Sequence, residues 1–140
     1  MGDLEEKLAQ ELKACIWKKG ERFEIIEEER GRIIPVADGE FRTVMVIESK
    51  QGSIRANHYH RTDSHIMYIL SGKTRYVEVM GENGVEIGRE LVLGPGESVL
   101  TAPMVPPAME FLEDTIMIVC ARNARDTVSY LTDLVRVKIL

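Results

Sequence analysis

Histidine is nearly missing from this chain: 140 residues hold three, and all of them fall in one stretch, "RANHYHRTDSH", as His58, His60 and His65. Cysteine is scarcer. Cys15 and Cys120 stand far apart in no CxxC pattern, which argues against a disulfide framework and fits buried thiols of a reducing compartment. No run approaches the roughly 18 consecutive apolar residues of a membrane helix. The opening "MGDLEEKLAQELK" is acidic where a signal peptide is basic and then apolar. A cytoplasmic protein with no membrane partner is the expectation. Basic residues are also in the minority, 18 against 23 acidic ones, for a net charge of −5. That argues against a nucleic-acid surface, which depends on neutralising phosphates, while leaving room for one Arg to meet one phosphate.

Hydrophobic residues make up 44% of the chain, enough at this length for one domain with its own core. Asp3 and Glu6 form a capping-box pattern, and Leu4, Leu8, Leu12 and Ile16 recur every four residues until Lys18, Lys19 and Gly20. This predicts an amphipathic helix over residues 1–20. From Phe23 onward short apolar or alternating runs take over, among them "FRTVMVIES", "IRANHYH", "HIMYILSG", "TRYVEVM" and "TIMIVCA". Turn chemistry such as "SKQG", "GENG" and "GPGE" separates them. Roughly nine to eleven short strands with tight connections predict an antiparallel sandwich or barrel over residues 21–140, with no second domain.

Within a strand, residues two apart face the same side, so His58 and His60 project together while Tyr59 points away. After "RTDS" the next strand begins at His65 and is expected to run back beside the first, bringing three imidazoles to one point inside the barrel. Three chemistries suit such a cluster. Neutral imidazoles ligate a divalent metal such as Zn, Fe, Ni or Mn, here through His58, His60 and His65. Two imidazoles in a partly dry cavity exchange a proton with a carbon of a sugar or keto acid. The third possibility is a polar wall that only binds.

The spacing resembles a known family. Gly52, His58, His60, His65 and Gly72 match the first cupin motif, G-x5-H-x-H-x4-E-x6-G, with His65 where the family usually has Glu. The resemblance implies an all-β double-stranded β-helix, the cupin jelly-roll barrel, here preceded by the one N-terminal α-helix. Of the second motif, G-x5-P-x-G-x2-H-x3-N, only Gly96 survives; Pro107 takes the histidine position, so a metal would rest on His58, His60 and His65, or recruit Glu110. Residues 27 to 80 are further similar to cupins acting on nucleotide-linked sugars, the dTDP-4-keto-6-deoxyhexose 3,4-ketoisomerases and the cupin domain of capsular polysaccharide epimerases. The matching residues are Arg30, Gly31, Arg55, Asn57, His58 and His60. This implies His58 and His60 as a catalytic acid/base pair and Arg55, with Asn57 beside it, as a contact to phosphate or sugar.

Tyr68 and Tyr76 lie on adjacent strands, as candidates to stack on a ligand or simply to pack. Met67 and Ile69 share the face of His65, an apolar wall suited to a small-molecule pocket. "APMVPPAM" reads as an edge connection or a rigid lip, and Thr62 and Asp63 as turn builders. An unpaired sheet edge and the helix both need covering, which points to a homodimer. Three functions follow: an isomerase or epimerase of a nucleotide-linked keto sugar, a metal-dependent cupin enzyme acting on another small substrate, or a non-catalytic ligand-binding or sensing cupin.

Overall fold

The computed structural model describes residues 25–37, 39–80, 86–123 and 133–140; the helix expected over 1–20, and Cys15, lie outside them. The described residues form β1 (Ile26–Glu28), β2 (Gly31–Ile33), β3 (Thr43–Ser49), β4 (Ile54–Ala56), β5 (His58–His60), β6 (His65–Ser71), β7 (Thr74–Met80), β8 (Glu86–Leu93), β9 (Ser98–Thr101), β10 (Pro107–Phe111), β11 (Thr115–Ala121) and β12 (Leu134–Arg136). Two four-stranded antiparallel sheets, ordered β4-β10-β7-β8 and β3-β11-β6-β9, are accompanied by the small pairs β1-β2 and β12-β5.

Successive side chains of a strand point to opposite faces, so each strand turns every second residue to the same side. In β3, Met45 and Ile47 pack on the core while Val44 and Val46 stay 65% and 67% exposed. The core itself takes Met67, Ile69, Val99, Met117 and Val119 from one sheet and Tyr76, Leu93, Met109 and Phe111 from the other. The inner faces of both sheets thus close on a single apolar layer, the jelly-roll solution for antiparallel strands. On the far side of β6 and β11, Val36, Ala37 and Phe41 cover Ile66, Leu100 and Cys120. Cys120 is buried in this cluster, and burial pushes its thiol up, away from the reactive thiolate form.

The β6–β7 turn depends on Gly72. Its φ is +93°, and a Cβ there would overlap the Asp114 carbonyl oxygen and the Thr115 side chain and backbone. Only glycine accepts both constraints.

The histidine segment departs from expectation. "IRANHYH" reads as one strand, yet Ala56 (φ 71°) and Asn57 (φ 53°) are both left-handed, and the pleat breaks there. Before the break β4 pairs with β10; after it β5 pairs with β12. Nor do β5 and β6 run side by side, because β6 is already flanked by β11 and β9. The imidazoles meet across layers, not along one hairpin.

Candidate functional site

Backbone hydrogen bonds hold β5 on both sides. The amide of Asn57 donates to the Pro107 carbonyl and that of Met104 to the His60 carbonyl; opposite, the Arg61 amide donates to Asp133 and the Val137 amide to Asn57. The proline-rich connection therefore serves as one wall of the histidine strand, with Pro107 opening β10, a position where its missing N–H costs little.

Three rings gather here. His58 stands edge-on to His60 with centroids 5.0 Å apart, and His60 lies 4.6 Å from His65. Two buried carboxylates orient two of them, His60 and His65. His60 donates from Nδ1 to Asp133 Oδ2 at 2.9 Å, while Asp133 Oδ1 accepts the Thr62 amide at 2.7 Å and the Thr62 hydroxyl at 2.8 Å. His65 donates from Nε2 to Asp63 Oδ2 at 2.9 Å, and Asp63 Oδ1 accepts the amides of Ser64 and Asn123, each at 2.9 Å. A carboxylate on one ring nitrogen fixes the tautomer, so the lone pairs sit on Nε2 of His60 and Nδ1 of His65.

The electrostatics follow from this crowding. Burial, then repulsion from His60 and His65, lowers the His58 pKa from 6.5 to about 4. Burial and His65 also lower that of His60, although Asp133 and Asp63 pull it up. Burial alone would raise the Asp133 carboxyl, but the two Thr62 hydrogen bonds and His60 outweigh it and hold the group below its ordinary value. At neutral pH His58 and His60 are neutral imidazoles beside an ionised Asp133. A neutral imidazole beside a fixed carboxylate is able to accept a proton with a counter-charge already in place.

The other expected site residues fall in different places. Arg55 is engaged, with Nε donating to Ser49 Oγ at 2.7 Å and Nη2 to the Glu48 carbonyl at 3.1 Å. Asn57 clamps the chain end: Oδ1 accepts the amides of Ile139 and Leu140, and Nδ2 donates to the Leu140 carbonyl. Tyr68 shares a strand face with Ile66 and Leu70, opposite to that of His65, so it stands outside the cluster. Tyr76 is fully buried, its hydroxyl donating to Glu78 Oε1 and accepting from the Thr101 hydroxyl, both at 2.6 Å. Glu110 alternates with the core residues Met109 and Phe111 and pairs with Arg75, which turns it away from the histidines.

Asp63 and Asp133 are the residues that sequence reasoning missed. A carboxylate two positions before His65 was a usable signal for Asp63. Nothing near Asp133 marks it, since its partner lies 73 residues away.

A divalent ion needs donors about 2.0–2.2 Å from one centre. Among the described residues His60, Asp63 and His65 each present a ligand atom, all within 4.8 Å of one another; His58 is not in that group. Two imidazoles and a carboxylate are a donor set that suits Zn, Fe, Ni or Mn.

No protein-family model matches the chain, and no curated protein matches it. Solved structures do. The 3,4-ketoisomerase QdtA of Thermoanaerobacterium thermosaccharolyticum, a double mutant in complex with TDP, superposes with a TM-score of 0.65 at 21% identity, covering 82% of this chain and 83% of that one. The capsular polysaccharide assembling protein CapF of Staphylococcus aureus gives 0.61 at 23% identity over 71% of this chain, which spans only 27% of CapF. The dTDP-4-dehydrorhamnose 3,5-epimerase of Sulfolobus tokodaii gives 0.61 at 16% identity, with 80% and 72% of the two chains covered. The two facing antiparallel sheets, the histidine strand set against them and these superpositions together identify the fold of this chain as the cupin jelly roll.

Proposed function

We propose that this protein is a sugar-modifying cupin, an isomerase or epimerase that moves a proton on the carbon skeleton of a nucleotide-linked keto sugar. The observation that carries the reading is the His60–Asp133 pair beside His58. The likeness to a ketoisomerase and an epimerase supports the substrate class.

In this reading His60 Nε2 takes the proton from the carbon next to the ketone. The C–H electron pair becomes the double bond of an enediolate, and the ketone oxygen takes the negative charge. Asp133 stabilises the imidazolium through Nδ1–H, as a carboxylate does for a histidine base. If the proton returns to the former carbonyl carbon, and the hydroxyl proton passes between the two oxygens, the ketone moves by one carbon. Delivery of a second proton to the original carbon on its other face, while His60 keeps the one it took, inverts that carbon. His58, neutral and edge-on to His60, carries the second proton.

The test is incubation with dTDP- and UDP-4-keto-6-deoxyhexoses in deuterated water. Solvent deuterium on a sugar carbon supports the reading; its absence for every such sugar overturns it.

A second reading has its own observation, the convergent donors of His60, Asp63 and His65, which would hold one divalent metal as a Lewis acid for another small substrate. Elemental analysis of protein purified without an affinity tag decides it, with stoichiometric metal lost in Asp63→Ala as the expected result. Exposed apolar residues on the β1-β2 pair (Ile26, Ile33) and on edge strand β3 (Val44, Val46) support a homodimer, which light scattering would read directly. Among the described residues no helix is long and apolar enough to cross a membrane.

A further inference from the structure

The last strand brings a cation to the histidines. In the β5–β12 ladder Arg136 is the direct partner of His58, as Leu134 is of His60. Directly opposed residues share a face, with Cβ atoms about 4.5–5.5 Å apart, so the Arg136 guanidinium is within one side chain's reach of the His58 ring. Its charge is felt there, being among the causes that lower the His58 pKa.

Beside this pair lies an open cavity of about 460 Å³ lined by Ala56, Asn57, Arg136, Val137 and Lys138. Two of its five residues are cations, in a chain whose net charge is −5. Among the described residues neither Arg136 nor Lys138 makes an ion pair or side-chain hydrogen bond, unlike Arg75 and Arg89, which are held by Glu90 and Glu78. Arg55, the arginine that the motif singles out, is already engaged by Ser49 and Glu48.

The cavity is also built to stay in shape. Asn57 fastens residues 137–140 through its side chain and its carbonyl. That carbonyl takes the Val137 amide, and the Asn57 amide goes to Pro107, so these two backbone donors are spent and the side-chain cations remain to attract a ligand. A planar guanidinium and an ammonium lining one cavity suit a polyanion with several oxygens better than a single carboxylate.

We propose that Arg136 and Lys138, presented by the C-terminal strand and its extension, form an anion subsite next to His58 that holds the diphosphate of the substrate. This rests on the reading of the protein as a nucleotide-sugar enzyme and adds where the charged half of the substrate lies. Binding there places the sugar against His58 and His60, with Asn57 as the residue that positions the cations.

Calorimetric titration of the full chain at low salt tests it, with pyrophosphate, dTDP and thymidine as probes. Pyrophosphate and dTDP should bind and thymidine should not. Arg136→Gln and Lys138→Gln should each weaken dTDP roughly tenfold or more, Arg136→Lys should fall between, and Lys73→Gln, an exposed cation elsewhere, should leave the affinity unchanged. Thermal melts of each variant separate lost binding from lost folding; both cations carry little structure, so the melts should coincide with wild type. Unchanged dTDP affinity in Arg136→Gln, or no binding of either phosphate probe by the wild type, overturns the subsite. Phosphate binding with these losses but without deuterium exchange into any sugar upholds the subsite and removes the isomerase reading.

Discussion

His60 and Asp133, 73 residues apart in sequence, meet at 2.9 Å between Nδ1 and Oδ2. The contact joins the histidine strand to the C-terminal one and gives the ring its tautomer. Asp133→Asn keeps the shape of the side chain but cannot balance an imidazolium. Its turnover should fall roughly a hundredfold or more, with KM little changed, in steady-state assays on the sugar that exchanges deuterium. An unaltered kcat would remove Asp133 from the mechanism.

Acid should destabilise the metal-free protein in two stages. Folded His58 titrates at about 4 and the unfolded imidazole at 6.5, so on acidification the unfolded chain takes up the proton first. Stability is therefore lost as pH falls from 6.5 to 4, and His60 acts in the same direction. The Asp133 carboxyl, held below 3.8, adds its loss only under that value. Urea midpoints measured across this range in the presence of a chelator check the sign. In His58→Gln the first stage should shrink.

Gly72→Ala should destabilise by about 1–3 kcal/mol from the left-handed backbone alone, and by more because the new methyl meets Asp114 and Thr115. Urea denaturation measures it. A change within error would mean that the β6–β7 turn relaxes freely.

Tyr76→Phe separates packing from binding. The hydroxyl bridges Glu78 and Thr101 in the barrel interior, so removing it should cost about 1–3 kcal/mol of stability and leave KM for the sugar unchanged. A raised KM with full stability would make Tyr76 a substrate contact instead.

The strands were legible because short apolar runs between turn residues are written locally, as in "FRTVMVIES"; which face of β3 is buried was not, since Val44, Met45, Val46 and Ile47 are all apolar and only the fold turns Met45 and Ile47 inward. The shared face of His58 and His60 was legible from the strand's period of two, as was that of His65, Met67 and Ile69. The break between β4 and β5 was not, since alanine carries no sign of the left-handed conformation that Ala56 adopts. Asp133 and Arg136 were hidden for a different reason. Their meaning comes from pairing with β5, a long-range choice that no local pattern in "YLTDLVRV" records. Tyr68 was open between stacking on a ligand and packing, and strand alternation, applied to it as it was to Met67, puts it on the face opposite His65.

The central claim is proton transfer by His60 on a sugar carbon. Wild type, His60→Gln and Lys73→Gln should be incubated with each dTDP- and UDP-4-keto-6-deoxyhexose in deuterated water and the sugars read by proton NMR. The account predicts deuterium next to the ketone, or at the former carbonyl carbon, with wild type and Lys73→Gln for at least one sugar and none with His60→Gln. Equal incorporation by His60→Gln, or none by wild type with any of them, contradicts it.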